Sequence, residues 1–197
     1  MAEKILEPEE TLPETWPIAG TTGYDFLNRV MGLFVDQEAE EPLTRFYREF
    51  TGESVDYPVL VRDKKRLVLS EVLGSDVNRL TDLLLQICER HRRHRDYSRH
   101  QLTDATRELI AWFPVYRTYV QPTAGEVSEV DRHYIEAAME AAIREQPDIE
   151  VTLFEFLRDL LSLAVTGDLE SEFVARFQQL TGPAMAKGVE DTLFYTY

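Results

Sequence analysis

The stretch Leu73-Gly74-Ser75-Asp76-Val77-Asn78-Arg79-Leu80-Thr81-Asp82-Leu83-Leu84-Leu85-Gln86-Ile87 decides the fold class. Its apolar residues Leu73, Val77, Leu80, Leu84 and Ile87 recur in steps of four and three, which places them on one face of an α-helix through about four turns. So long a stripe predicts the spine of a helical bundle. Downstream, Ser98 with Gln101 three residues later is a capping-box signature ahead of Leu102, Ala105, Leu109 and Phe113, and Pro114 ends that run. Ser128 opens an alanine-rich helix to about Arg144. Thr152 with Glu155 opens another through Leu157 and Leu161, and Asp168 caps a third containing Phe173, Phe177 and Leu180. Thr181-Gly182-Pro183 reads as a helix stop.

Upstream, Phe26, Leu27, Val30, Leu33 and Phe34 fall at helical spacing, and Pro42 introduces Leu43, Phe46, Tyr47 and Phe50 before Thr51-Gly52 closes the run. The expectation is a mainly α protein with its core between about residues 25 and 180. Phe46, Phe50, Phe154, Phe156, Phe173 and Phe177 are expected inside it. Two segments stand apart. Residues 7 to 17 carry Pro8, Pro13 and Pro17, which remove donors and push their predecessors out of helical geometry, so an extended connector is expected. Val115-Tyr116-Arg117-Thr118-Tyr119-Val120 alternates and is rich in β-formers, which predicts one short strand over 115–120 ended by Pro122 and Gly125. A lone strand needs a sheet to join.

At 197 residues the chain can bury about 70% of its extended surface, so no stabilising staple is required. A formal net charge of −15 repels phosphate backbones and argues against nucleic acid as a partner. The single cysteine, Cys88, rules out an internal disulfide framework. The start lacks a signal-peptide pattern, and no apolar run approaches the ~18 residues of a membrane span, so a cytoplasmic protein with no membrane partner is expected.

Glu190-Asp191 beside Lys187 could orient sugar hydroxyls or could be a solvated acidic turn. Gly20 and Gly23 flank Thr21-Thr22 without the spacing that cradles phosphates, so a loop that packs Tyr24 and Asp25 is the better reading. His91 and His94 lie three apart, but Arg90, Arg92, Arg93 and Arg95 put positive charge where a cation would sit; a solvated helix face and no metal are expected. Cys88 reads as buried packing. Tyr24, Tyr116, Tyr119, Tyr195 and Tyr197 lie outside the periodic stretches, where aromatic faces beside fixed polar groups suit sugars.

The blocks Glu3-Lys4-Ile5-Leu6, Gly20-Thr21-Thr22-Gly23-Tyr24-Asp25-Phe26-Leu27, Phe113-Pro114-Val115-Tyr116-Arg117-Thr118-Tyr119 and Gly182-Pro183-Ala184-Met185-Ala186-Lys187-Gly188-Val189-Glu190-Asp191-Thr192 resemble, in order, signatures of maltooligosyltrehalose synthase, an α-amylase superfamily member. The resemblance implies an internal piece of a longer enzyme. Residues 1–24 and 183–197 would be barrel-derived segments, and residues 25–182 a helical insertion with short strand segments left from a (β/α)8 catalytic barrel. The family turns the reducing-terminal α-1,4 linkage of a maltooligosaccharide into an α,α-1,1 linkage, with no cofactor. An aspartate forms a glucosyl-enzyme, and a glutamate acts as acid and then base. On this resemblance Glu3 is the acid/base, whereas the nucleophile and a third carboxylate belong to motifs absent here, so the chain alone is expected to be inactive. Tyr24, Asp25, Tyr116, Arg117, Lys187, Glu190, Asp191 and Tyr195 are the expected substrate neighbours, and the rest of the barrel is the expected partner. The alternative is a freestanding helical protein-interaction or scaffold domain.

Overall fold

Eight α-helices form among the residues described by the computed structural model, which are 2–8, 10–52 and 56–196. They are α1 Asp25–Gly32, α2 Glu40–Thr51, α3 Tyr57–Glu71, α4 Gly74–Arg90, α5 Arg99–Ala111, α6 Glu129–Glu145, α7 Val151–Leu161 and α8 Asp168–Met185. Residues 1 and 197, which close the expected barrel-derived ends, lie outside the described set. The chain divides into two units, Met1–Tyr57 and Pro58–Tyr197. No helix among the described residues is long and apolar enough to cross a membrane.

In the second unit, the stripe on α4 is the spine expected of it. Val77, Leu80, Leu84 and Ile87 are buried as α4 packs against α5 and α8, while α5 also meets α6 and α7. Local rules set several helix starts. Ser98 and Ser128 each cap the amide of the third helical residue, and the Gln101 and Asp131 side chains answer to the cap backbone, which satisfies two otherwise orphan amides at each end. The expected Thr152 cap is not formed. Glu150 occupies the cap position of α7, and the Thr152 hydroxyl instead lies 2.7 Å from the Tyr97 hydroxyl. Gly167, not Asp168, occupies the N-cap position of α8, with no side-chain capping bond.

Residues 115–120 do not form the expected strand. The described residues contain no strand, only an isolated antiparallel bridge between Gln121 and Glu126, turned at Gly125, whose φ is +69°. Nor does burial keep the two-residue alternation of the sequence, since Val115 is buried out of phase with Thr118 and Val120, and side chains replace a neighbouring strand. The Tyr119 amide donates to Asp131 Oδ1 at 2.9 Å. The Val120 amide donates to Gln178 Oε1 at 2.8 Å, and Gln178 Nε2 donates back to the Val120 carbonyl at 3.1 Å. Helices α6 and α8 thus supply the ladder that buried backbone groups require.

Thr181-Gly182-Pro183 does not stop α8 either. Pro183 lies inside the helix, Ala184 and Met185 are buried, and the chain continues into a π-helical turn, Ala186–Glu190. Proline removes one helical hydrogen bond, but the buried side chains that follow hold the helix on its course. Helix α3 has no apolar stripe legible in the sequence, because Lys65, with 1% of its surface exposed, occupies an inward position alongside Val68 and Leu69.

The first unit departs furthest from expectation. Helices α1 and α2 contain no buried residue, and Phe46 and Phe50, expected in the core, are 64% and 80% exposed. Both helices are amphipathic by sequence, but nothing among the described residues of their unit covers their apolar faces, so the buried apolar core of the described residues begins at Val68 rather than near residue 25.

Candidate functional site

The π-helical turn after α8 creates the densest group of expected site residues in the second unit. The Asp191 amide reaches back five residues to the Ala186 carbonyl at 3.0 Å, a widened turn of the kind often found at functional sites. Gly188 makes the close approach to α3 possible: a Cβ there would stand 2.6 Å from Lys65 Cγ and 2.9 Å from Lys65 Cα. From the other side Lys65 Nζ donates to the Phe113 carbonyl at 2.8 Å. One buried lysine therefore touches both motifs, Phe113–Tyr119 and Lys187–Thr192. The two motifs also meet directly, where the Tyr116 hydroxyl donates to Glu190 Oε1.

The other residues expected near substrate gather less tightly. Lys187 Nζ pairs with Asp191 Oδ2 at 2.5 Å on the exposed side of the turn, and the hydrogen bond and charge of Asp191 hold this ammonium above the usual lysine range. The Arg117 guanidinium sits 4.8 Å from the Tyr119 ring centroid, a cation–π distance, and Arg117 Nε donates to the Thr118 carbonyl at 3.2 Å. Tyr195, on a 3-10 turn, is 84% exposed. Glu190-Asp191 is thus neither a purely solvated turn nor a bare carboxylate pair, since one carboxylate is held by a phenol and the other by an ammonium.

In the first unit the two terminal motifs clamp each other. Thr21 Oγ1 accepts from the Lys4 amide and donates to the Lys4 carbonyl, both at 2.8 Å, and the Thr22 amide donates to the Ala2 carbonyl at 2.9 Å. Glu3 is exposed between these two anchored residues. Gly23 packs so close that a Cβ would lie 2.5 Å from the Lys4 carbonyl oxygen, which gives the glycine a steric reason. Lys4 and Glu10 form an ion pair at 2.7 Å with side-chain exposures of 5% and 6%. Tyr24 and Asp25 open α1 directly after this clamp.

In the second unit, sequence reasoning missed the buried ionic positions that matter most for the site. Lys65 is one. Glu108 is the other: fully buried on α5, it accepts from Arg62 Nε at 2.8 Å, Arg62 Nη2 at 2.9 Å and Trp112 Nε1 at 2.8 Å, and it also pairs with Arg66. The i, i+4 spacing of Arg62 and Arg66 was the available signal. His91 and His94 do not lie on a solvated helix face. Helix α4 ends at Arg90, and the His94 ring stacks on Phe156 with centroids 4.0 Å apart. Burial and the neighbouring His91 and Arg93 charges push His94 below the usual histidine range. Burial alone pushes the Cys88 thiol up to about 12, as fits a packed thiol. No three His, Cys, Asp or Glu side chains among the described residues are grouped to hold a metal ion.

No protein-family model matches the chain. Over 195 residues, 99% of its length, it is 28% identical to proteins from two strains of Mycobacterium tuberculosis provisionally named maltooligosyl trehalose synthase, and the match spans 23% of those proteins. The structure of maltooligosyltrehalose synthase from Arthrobacter ramosus matches with a TM-score of 0.79 at 33% identity, covering 99% of this chain and 22% of that one. The chain is homologous, at low identity, to the maltooligosyltrehalose synthase family. The DSM5389 glycosyltrehalose synthase also matches, with a TM-score of 0.65 at 28% identity over 99% of this chain and 21% of its own. The chain therefore spans less than a quarter of the length of the synthases it matches.

Proposed function

We propose that the chain is an internal segment of a maltooligosyltrehalose synthase, with residues 1–24 and 183–197 contributing to a catalytic barrel and residues 25–182 forming its helical insertion. The observation that carries this reading is the match of nearly the whole chain to about a fifth of a solved synthase at a TM-score of 0.79. The complete enzyme converts the reducing-terminal α-1,4 linkage of a maltooligosaccharide to an α,α-1,1 linkage. Glu3 protonates the departing glucose oxygen as an aspartate outside this chain bonds to the anomeric carbon. Glu3 then takes the proton from the anomeric hydroxyl of the turned glucose as that oxygen displaces the aspartate. Retaining chemistry of this kind requires two carboxylates about 5 to 5.5 Å apart, so Glu3 without its partner gives no turnover. The clamp of Thr21 and Thr22 on residues 2–4 supports a positioned Glu3, and the contact of Tyr116 with Glu190 supports a shared role for the two motifs of the second unit. Tyr24, Asp25, Arg117, Lys187, Asp191 and Tyr195 line the substrate path in this reading, with Tyr116 and Tyr195 offering ring faces to sugars.

The test grafts this chain in place of its counterpart in the Arthrobacter ramosus synthase and follows maltooligosaccharide conversion by chromatography. The graft is expected to form non-reducing product, the Glu3→Gln graft to lose nearly all turnover, and the isolated chain to form none. Normal turnover by the Glu3→Gln graft would remove Glu3 from the acid/base role.

A further inference from the structure

Among the described residues of their unit, nothing buries the apolar faces of α1 and α2. Phe26 on α1, Leu33 and Phe34 just beyond its end, and Leu43, Phe46 and Phe50 on α2 are all more than 60% exposed, and Phe46 and Phe50 stack on each other with centroids 6.0 Å apart, forming a ridge one helical turn long. Soluble proteins rarely leave so many large side chains, so close along the chain, in water unless something binds them. Short helices also gain most of their stability from packing such a face, not from propensity.

We propose that this face docks against the remainder of a synthase-type chain, the part of the relatives that this chain does not span, so that α1 and α2 are an intramolecular interface of the complete enzyme. The inference rests on the reading of the chain as an internal segment. Its support is twofold. The chain aligns almost end to end with relatives whose greater part lies outside the match, so those relatives carry an occupant of ample size in one polypeptide with the matching segment. The charge of the chain, −15, opposes a second copy as occupant. Glu38 on the turn before α2 and the exposed Glu40, Glu41 and Glu49 on α2 outnumber Arg45 and Arg48, which disfavours an anionic lipid surface and suits a partner with a basic border.

Amide hydrogen exchange of residues 25–51 in the isolated chain and in the graft tests this. Docking predicts at least tenfold slower exchange in the graft, and equal exchange in a well-folded graft would overturn it. Independently of grafting, the isolated chain should bind anilinonaphthalene sulfonate as a monomer, and Phe34→Ser with Phe46→Ser should abolish most of that binding. A monomer that binds no dye, or a concentration-dependent dimer abolished by the same two substitutions, would also overturn it. An inactive graft with protected α1 and α2 would leave docking intact while refuting the catalytic reading, and an active graft with unprotected helices would do the reverse.

Discussion

Two glycines six residues apart on the α8 continuation should respond to alanine with opposite signs. Gly182 lies within α8, and a Cβ there would stand 3.7 Å from the Tyr116 carbonyl oxygen, an ordinary contact. Gly182→Ala therefore collects the helical advantage of alanine, about 0.5 to 1 kcal/mol. At Gly188 the same methyl would sit 2.6 Å from Lys65 Cγ, 2.9 Å from Lys65 Cα and 3.1 Å from Lys65 N. Carbon atoms at optimal separation lie about 3.5 to 4 Å apart, so α3 must move by several tenths of an ångström. Two of the obstructing atoms are backbone, and the Lys65 side chain is already committed to the Phe113 carbonyl, so a rotamer change cannot relieve the overlap. Overpacking of this kind costs about 1 to 3 kcal/mol, and with two backbone atoms in the way the cost lies toward the upper end, which leaves a net loss of up to about 2.5 kcal/mol after the propensity gain. Denaturant unfolding followed by far-ultraviolet circular dichroism reads both effects as shifts of the midpoint at constant slope. Shifts of the same sign for the two variants would refute the claim that Gly188 is required by the approach of Lys65.

Three further outcomes follow from the same structure. Leu84, fully buried on α4, should lose about 2 to 5 kcal/mol on truncation to alanine, and an unfolding change below ~0.5 kcal/mol would remove it from the core. His94 binds a proton less readily when folded than when unfolded, because burial and the His91 and Arg93 charges lower it from 6.5. Its contribution to stability is therefore complete above about 6.5 and is lost as pH falls toward the lowered folded value. His94→Phe should show a weaker acid loss than the parent over that window in parallel unfolding series, and an identical pH profile would count against the assignment. Cys88, pushed up to about 12 by burial, should resist alkylation by iodoacetamide at neutral pH in the folded chain and react only in denaturant, as mass spectrometry would show; rapid native labelling would contradict its packing.

Much of the candidate site was visible as motif and little of it as geometry. Tyr116 and Glu190 were singled out from blocks 74 positions apart, but nothing local to either announces that a phenol meets a carboxylate. Sequence patterning also passes over Lys65, which touches both blocks, because a lysine at an inward position leaves α3 without a legible apolar stripe. The placement of Glu3 between Thr21 and Thr22 anchors was equally hidden, since a side-chain hydroxyl that bonds a distant backbone leaves no periodic signal. Glu108 reads as one more helical glutamate until Arg62 and Arg66 close on it.

The sequence by itself determined what arises within a few residues: the α4 stripe, the capping boxes at Ser98 and Ser128, and the helical class, because i, i+3 and i, i+4 neighbours meet in any helix. Tertiary structure alone decided what depends on distant partners. It let α8 run through Pro183, gave residues 115–120 side-chain partners on α6 and α8 in place of a sheet, and left the apolar faces of α1 and α2 in water. Propensity states which conformation a segment favours alone, but burial and hydrogen-bond satisfaction are properties of whatever packs against it, and that is settled only when the whole chain has folded.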